Sequence, residues 1–226
     1  MKKWISLILA LTFALTLGSA ALADGYEPGD SVLFGHYGDE EIEWYVLEDN
    51  GTDLFLMSRY ALDKQPFNNT SDRSVTWETS AVREWLNQTF YHSAFTKKER
   101  EFVRETKVDD TLDSNSSKWV TAGRVGTYTN DHVFLLSYAE VMEYLSDKNL
   151  RMCVPSSYAL KQGGNVSDKK YLDYQKTCWY WLRSSAYKAN AGVVDWNGNL
   201  ETCYMHHSYG VVRPCIWVDR TAVKAK

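Results

Sequence analysis

The sequence predicts an α+β fold: a mostly antiparallel sheet with three to four short helices. Two observations carry this. Strand-like runs open the chain and fill its last fifty residues, while the middle shows helical spacing and capping signals. Strand and helix do not alternate, so the crossover units of a parallel sheet are not indicated.

Residues 31–37 and 42–48 read as strands, and Asn50-Gly51 is a tight-turn signal leading into a third strand over 53–59. In the stretch 80–91, Val82, Trp85, Leu86 and Phe90 recur at helical spacing and define one buried stripe. Thr96-Lys97-Lys98-Glu99 matches a capping box, in which threonine and glutamate satisfy each other's free backbone N–H groups, so a second helix starts there. After a polar stretch over 109–130, residues 132–136 look like a strand and Ser137 with Glu140 repeats the box, predicting a third helix over 138–146. Pro155 can open a fourth through Tyr158 and Leu160, ended by Gly163-Gly164. Strand-like runs follow at 179–182, 191–196, 200–204 and 211–218, with a two-residue turn expected at Asn197-Gly198 and Pro214 expected on an edge or at a bulge.

Ahead of these elements, Met1-Lys2-Lys3 is a short basic segment, 4–17 is almost unbroken apolar, and Ala21-Leu22-Ala23 is a small-residue cleavage site. The reading is a signal peptide over 1–23 and a single globular domain over 24–226. An apolar run of about 14 residues falls short of the roughly 20 a membrane span needs, so no transmembrane anchor is expected after cleavage. The expectation is a bacterial protein that is secreted or extracellular, with association to the cell surface as a variant.

Of the 226 residues 44% are hydrophobic and 24% charged, with a formal net charge of −4, which excludes a disordered chain and a multi-span membrane protein. No basic footprint for phosphate backbones is present, so no nucleic-acid partner is expected.

Four cysteines stand in the second half: Cys153, Cys178, Cys203 and Cys215. In an exported chain an even count permits two disulfides. If the runs holding Cys203 and Cys215 are antiparallel neighbours, the pairs are Cys203–Cys215 and Cys153–Cys178; the alternative is four buried thiols. No C-x-x-C occurs.

Aromatic residues make up 14% of the chain, and Trp196, Tyr187, Tyr204 and Tyr209 fall near predicted loops, where flat rings can stack on sugar faces or anchor a protein. The plainer reading is that rings fill a thick core. Arg183 and Arg213 end strand-like runs, where they either bind a ligand carboxylate or pair with Asp195 or Asp173. Asp195, Asn197, Asn199 and Glu201 place oxygens at alternating positions, a spacing calcium can use, though the glycine and acid of an EF-hand are out of place. A solvated hairpin turn is the favoured reading there, and otherwise no cofactor is expected. His206-His207 reads as a loop entrance. Nucleophile elbow, zinc-protease, phosphate-loop and dinucleotide motifs are absent.

Several stretches together resemble the domain-of-unknown-function family 6273. They are Ile42-Glu43-Trp44, the run Ser58-Arg59-Tyr60-Ala61-Leu62-Asp63, Thr76-Trp77-Glu78-Thr79, Arg83-Glu84-Trp85-Leu86-Asn87, Val133-Phe134-Leu135-Leu136-Ser137, Cys178-Trp179-Tyr180-Trp181-Leu182-Arg183-Ser184 and Val212-Arg213-Pro214. The resemblance brings no activity with it. Ser185-Ala186 departs from the Pro-Gly expected after the tryptophan-rich strand, and the flanking Val211 and Cys215 make a Cys203–Cys215 pair a local addition. More distantly, the tryptophan-rich strand, the Asp-x-Asn-Gly hairpin and the closing arginine-containing strand are similar to C-type-lectin-like and formylglycine-generating-enzyme-like domains, which implies a C-type-lectin-like C-terminal half. The expected function is a non-catalytic module that binds an extracellular glycan or protein. The rivals are a secreted enzyme, either a hydrolase with paired carboxylates such as Asp72 and Glu78 or an oxidase using Cys203 and Cys215, and a structural module of the cell surface.

Overall fold

The computed structural model describes residues 25–111 and 126–226. The predicted signal peptide, residues 1–23, lies outside the described residues. Three strands open the fold as a meander: β1 (Ser31–Tyr37), β2 (Glu40–Asp49) and β3 (Asp53–Ser58). Asn50 shapes the second turn, its side-chain oxygen accepting the Thr52 and Asp53 backbone N–H groups at 3.0 and 2.8 Å. The short β4 (Asp63–Lys64) follows, and then a helical run over 81–94 whose middle, Leu86–Phe90, is a π-helical turn. Val82, Leu86 and Phe90 are its buried stripe, as the spacing predicts.

Helix Lys97–Arg100 carries the Thr96–Glu99 capping box, and helix Tyr138–Tyr144 carries the Ser137–Glu140 box. Between them β5 (Thr106–Asp109) and β6 (Tyr128–Asp131) form a ribbon. Short helices Lys148–Arg151 and Ser157–Lys161 precede a second ribbon, β7 (Lys170–Leu172) with β8 (Gln175–Lys176). The C-terminal strands are β9 (Tyr180–Ala186), β10 (Asn190–Val194), β11 (Leu200–Tyr204), β12 (Val211–Val212), β13 (Cys215–Asp219) and β14 (Lys224–Ala225).

Two five-stranded sheets result, ordered β13-β3-β2-β1-β14 and β11-β10-β9-β12-β4. Every pairing in them is antiparallel except β12 with β9. Together with the short helices this is the α+β class. One cluster of buried side chains, from Val32 to Val218, joins both sheets.

The chain passes between the sheets twice, and the two passages run side by side. One leads from β3 to β4 and the other from β12 to β13. Ser58 N–H donates to the Pro214 carbonyl and Leu62 N–H to the Val212 carbonyl, both at 2.9 Å, so two bent strands turn the corner as a pair. This corrects the single strand expected over 211–218. Pro214 lacks the N–H that would continue the ladder, so the run stops at Val212 and resumes at Cys215 in the other sheet. The strand expected over 132–136 is also corrected: Phe134 makes one isolated bridge with Cys215, at 3.0 and 2.7 Å, with bends at 132–133 before it and no regular structure over 135–137.

Candidate functional site

Hairpin β10–β11 turns through a three-residue loop, 196–198. Asp195 N–H donates to the Asn199 carbonyl at 2.8 Å, and the Asp195 carboxylate accepts the backbone N–H groups of Asn197 and Asn199 at 3.0 and 2.8 Å. Gly198 sits at φ 83°, and a Cβ there would stand 2.1 Å from the Lys148 carbonyl oxygen, so the position admits glycine alone. The carboxylate-capped turn with its left-handed closing residue takes one residue more than the expected two-residue turn.

Of the four oxygens proposed for calcium, Asp195, Asn197 and Asn199 converge in this turn and are hydrogen-bonded to one another. Asn199 Nδ2 donates to Asp195 at 3.2 Å and to Asn197 Oδ1 at 2.8 Å. Glu201 lies beyond them on β11 and is exposed. Among the described residues no group of three or more His, Cys, Asp or Glu side chains converges to hold a metal ion.

Trp196 projects from this turn with 41% of its surface exposed, and it is held rather than loose. Its Nε1 donates to Asn165 Oδ1 at 3.1 Å, and its carbonyl accepts from Thr177 Oγ1 at 2.5 Å. The same Asn165 donates through Nδ2 to the Tyr209 carbonyl at 2.9 Å and the Trp179 carbonyl at 2.8 Å. One amide therefore fixes Trp196 and Tyr209 together. His207 packs between Trp179 and Tyr209, ring centres 5.4 and 5.6 Å away, so the expected loop entrance carries a ring contact.

Tyr187 and Tyr204 are also exposed, but they belong to the opposite end of the hairpin. Asn190 pairs with Ala186 and Tyr204 in one row, whereas Val194 and Leu200 form the row next to Trp196. The predicted rings thus form two separate groups.

Arg183 and Arg213 join neither, since both are 2% exposed. Arg183 grips Glu140 through both terminal nitrogens and donates to the Leu135 and Asp109 carbonyls at 2.9 Å each. Arg213 donates to the Ser58 carbonyl at 2.9 Å, the Arg151 carbonyl at 3.3 Å and the Tyr180 hydroxyl at 3.2 Å. Neither pairs with Asp195 or Asp173: Arg183 stands in the middle of β9 rather than at the strand end expected, enclosed by backbone carbonyls and a helix N-terminus, and Arg213 is enclosed by carbonyls between β12 and β13.

All four cysteines are thiols. Cys203 and Cys215 are not neighbours: Cys203 lies opposite Ala191 in one sheet and Cys215 opposite Met57 in the other. The expected bridge fails because Pro214 ends the run that would have carried Cys215 back beside β11, and the oxidase pair is not assembled. Cys153 and Cys178 do come together, across an antiparallel bridge with Cys178 N–H donating to the Cys153 carbonyl at 2.8 Å, but as thiols, not as the disulfide expected. The two hydrolase candidates serve local structure. Asp72 caps its own turn at Ser74, and Glu78 accepts from Thr127 Oγ1 at 2.8 Å.

Sequence reasoning missed a cavity of about 410 Å³, lined by no residue of the Trp196 turn itself. Its walls come from the β2 and β3 ends (Tyr45, Arg59, Tyr60), from Tyr144 and Asn149 of the short helices, and from Asp173 and Gln175 of the β7–β8 ribbon. These elements also support the ring surface. Lys148, beside Asn149, meets Gly198, and Thr177, two residues past Gln175, holds Trp196.

Inside the cavity the Arg59 guanidinium carbon lies 5.4 Å from the Tyr45 ring centre and 5.7 Å from that of Tyr60. Its Nη1 donates to Glu43 Oε1 at 2.5 Å, and the Lys226 ammonium binds the other oxygen of Glu43. Burial alone would raise the Glu43 pKa, but the two cations outweigh it and hold the carboxyl below its ordinary value. Arg59 is correspondingly raised despite burial, through Glu43 and the two tyrosines. At the rim, Asp173 and Tyr174 take left-handed φ values of 43° and 62°, uncommon for non-glycine residues, to close the ribbon.

The family model described as Domain of unknown function (DUF6273) matches residues 51–220. The chain belongs to this family. The match opens in the β2–β3 turn and closes just past β13, so it contains Arg59, Tyr60, Tyr144, Asp173 and Trp196, while Glu43 and Tyr45 precede it. No curated protein and no solved structure matches the chain.

The chemistry these residues support is recognition. Tyrosine faces accept C–H surfaces, the amides of Asn149 and Gln175 both donate and accept, and the lining carries one carboxylate, Asp173. One signal in the sequence pointed there: an arginine next to a tyrosine at a strand end, Arg59-Tyr60.

Proposed function

We propose that this protein is a non-catalytic, exported binding module that holds a glycan chain, with sugar units stacking on Trp196 and Tyr209 and one unit entering the cavity beside Arg59. The observation that carries the reading is an exposed tryptophan fixed in place from behind. Trp196 spends its N–H on Asn165 and its carbonyl on Thr177, which leaves the ring available at little ordering cost. Rings held this way bind more tightly than mobile ones because less freedom is lost on association. The likeness of the C-terminal half to C-type-lectin-like domains belongs to the same reading, supported by Trp179 and Trp181 at the start of β9 and by the carboxylate-capped β10–β11 turn.

A glycan array followed by calorimetric titration of the hits tests it. Trp196→Ala is expected to weaken binding roughly tenfold or more, since a central aromatic anchor is worth about 2 kcal/mol. Tyr187→Ala, at the far end of the hairpin, should leave the affinity within about twofold. Flat titrations across neutral and acidic glycans, or equal losses in the two variants, would overturn the proposal.

A further inference from the structure

We infer that the cavity beside Arg59 receives a carboxylate, the acid group of a uronate unit in the bound glycan. This deepens the glycan reading and rests on it. The first support is the state of the guanidinium. Among the described residues Arg59 makes one side-chain hydrogen bond, from Nη1 to Glu43, so the remaining N–H groups of its planar fork are uncommitted in a cavity they line. The Tyr45 and Tyr60 rings flank the guanidinium, and its planar fork matches the two oxygens of a carboxylate.

Charge is the second support. Were Glu43 bound to Arg59 alone, the pair would be neutral and the cavity would suit an uncharged sugar. Lys226 also holds Glu43, so two cations share one anion and the charge of Arg59 is only partly met by its partner. The ribbon at the rim, residues 170–176, carries Lys170 and Lys176 against Asp173, and of these three only Asp173 lines the cavity.

The rest of the lining sets the kind of carboxylate. Asn149, Gln175 and Asp173 offer hydroxyl partners around the acid, and Tyr144, Leu172 and Met57 offer apolar surface for ring C–H groups. Asp173 also disfavours a doubly charged phosphate, because like charges in one small cavity repel more strongly as the ligand charge rises.

Calorimetric titration of the native chain with glucuronate and galacturonate oligosaccharides, their methyl esters and the neutral parent sugars is the test. The best acid is expected to bind roughly ten- to hundredfold tighter than its methyl ester, as for loss of a charged hydrogen-bonded pair, with the gap closing as salt is added. Arg59→Met should remove the difference between acid and ester while ester binding persists, and Arg59→Lys should restore part of it. Should Arg59→Met fail to fold, the comparison of acid and ester on the native protein decides alone. Equal affinity for acid and ester, with neutral sugars bound, overturns this inference and leaves the glycan reading standing. No binding to any sugar overturns both. Preference for a peptide with a free over an amidated C-terminus, lost in Arg59→Met, would keep the carboxylate and overturn the uronate.

Discussion

Arg213 sits where the two bent strands turn from one sheet to the other, and its charge has to be met without a carboxylate. None of the ion pairs among the described residues involves it. Instead the Ser58 and Arg151 carbonyls and the Tyr180 hydroxyl accept from it, and its guanidinium carbon lies 5.2 Å from the Tyr180 ring centre. The Cys153 thiol is drawn into this arrangement. Burial opposes its ionisation, yet hydrogen bonding from Cys178 and the Arg213 charge hold its pKa below the ordinary value, while burial and its partner push Cys178 up. Replacing Arg213 by methionine strands at least two buried acceptors, and lysine, with its compact ammonium, cannot span three partners in different directions. Chemical denaturation is therefore expected to show a loss of about 3 kcal/mol or more for Arg213→Met, with Arg213→Lys only slightly better. A loss below about 1 kcal/mol would mean that the corner is held by its backbone bonds alone. The sequence marked Arg213 as a strand-end arginine, but partners that are carbonyls from residues 58 and 151 leave no trace in side-chain order.

Two short helices begin with the same capping box and differ in what stands behind it. At Lys97–Arg100 the Glu99 carboxylate accepts the Thr96 backbone N–H at 2.8 Å and serves only the cap. At Tyr138–Tyr144 the Glu140 carboxylate accepts the Ser137 N–H at 2.8 Å and also neutralises the buried Arg183. Thr96→Ala and Ser137→Ala should each cost about 1 kcal/mol, as for an ordinary N-cap. Glu99→Ala should cost less than that, whereas Glu140→Ala should cost about 3 kcal/mol because it leaves an uncompensated cation in the interior. Denaturant midpoints of the four variants check this, and equal losses for the two glutamates would contradict it. Both boxes were legible because capping is local: three residues suffice to specify it. The strands at 31–37 and 200–204 were legible for a similar reason, being bounded by nearby turn residues. The stretch at 132–136 was misread because its apolar pattern is the same whether it joins a ladder or, as Phe134 does, fills the space between two elements with one bridge. The break at Pro214 was legible, but the change of sheet was not, since it depends on pairing with Ser58 and Leu62 more than 150 positions earlier.

The ring surface and the cavity differ in the same way. Trp196 and Tyr209 were readable as exposed rings because turn residues surround them, although the amide of Asn165 that fixes both was not. Arg59 was readable only as part of a motif, since its cavity is assembled from β2, β3, two helices and the β7–β8 ribbon, segments far apart in the chain. Those sheets are tied by the paired corner strands and by one continuous core, so neither can open without exposing apolar surface of the other. Trp44 in the first sheet and Trp181 in the second are both fully buried, each with its ring N–H bonded to a carbonyl at 2.8 Å. The expectation is one cooperative unit. Native-state hydrogen exchange should give the β2–β3 and β9–β10 amides the same free energy of opening, and Arg213→Met should lower both by the same amount. The first sheet has its own five-stranded order, so independence is a real alternative. If β2–β3 kept its protection while β9–β10 lost it, the two sheets would be separate units, and the Arg59 cavity, whose sheet residues all come from the first sheet, would keep its β2–β3 wall.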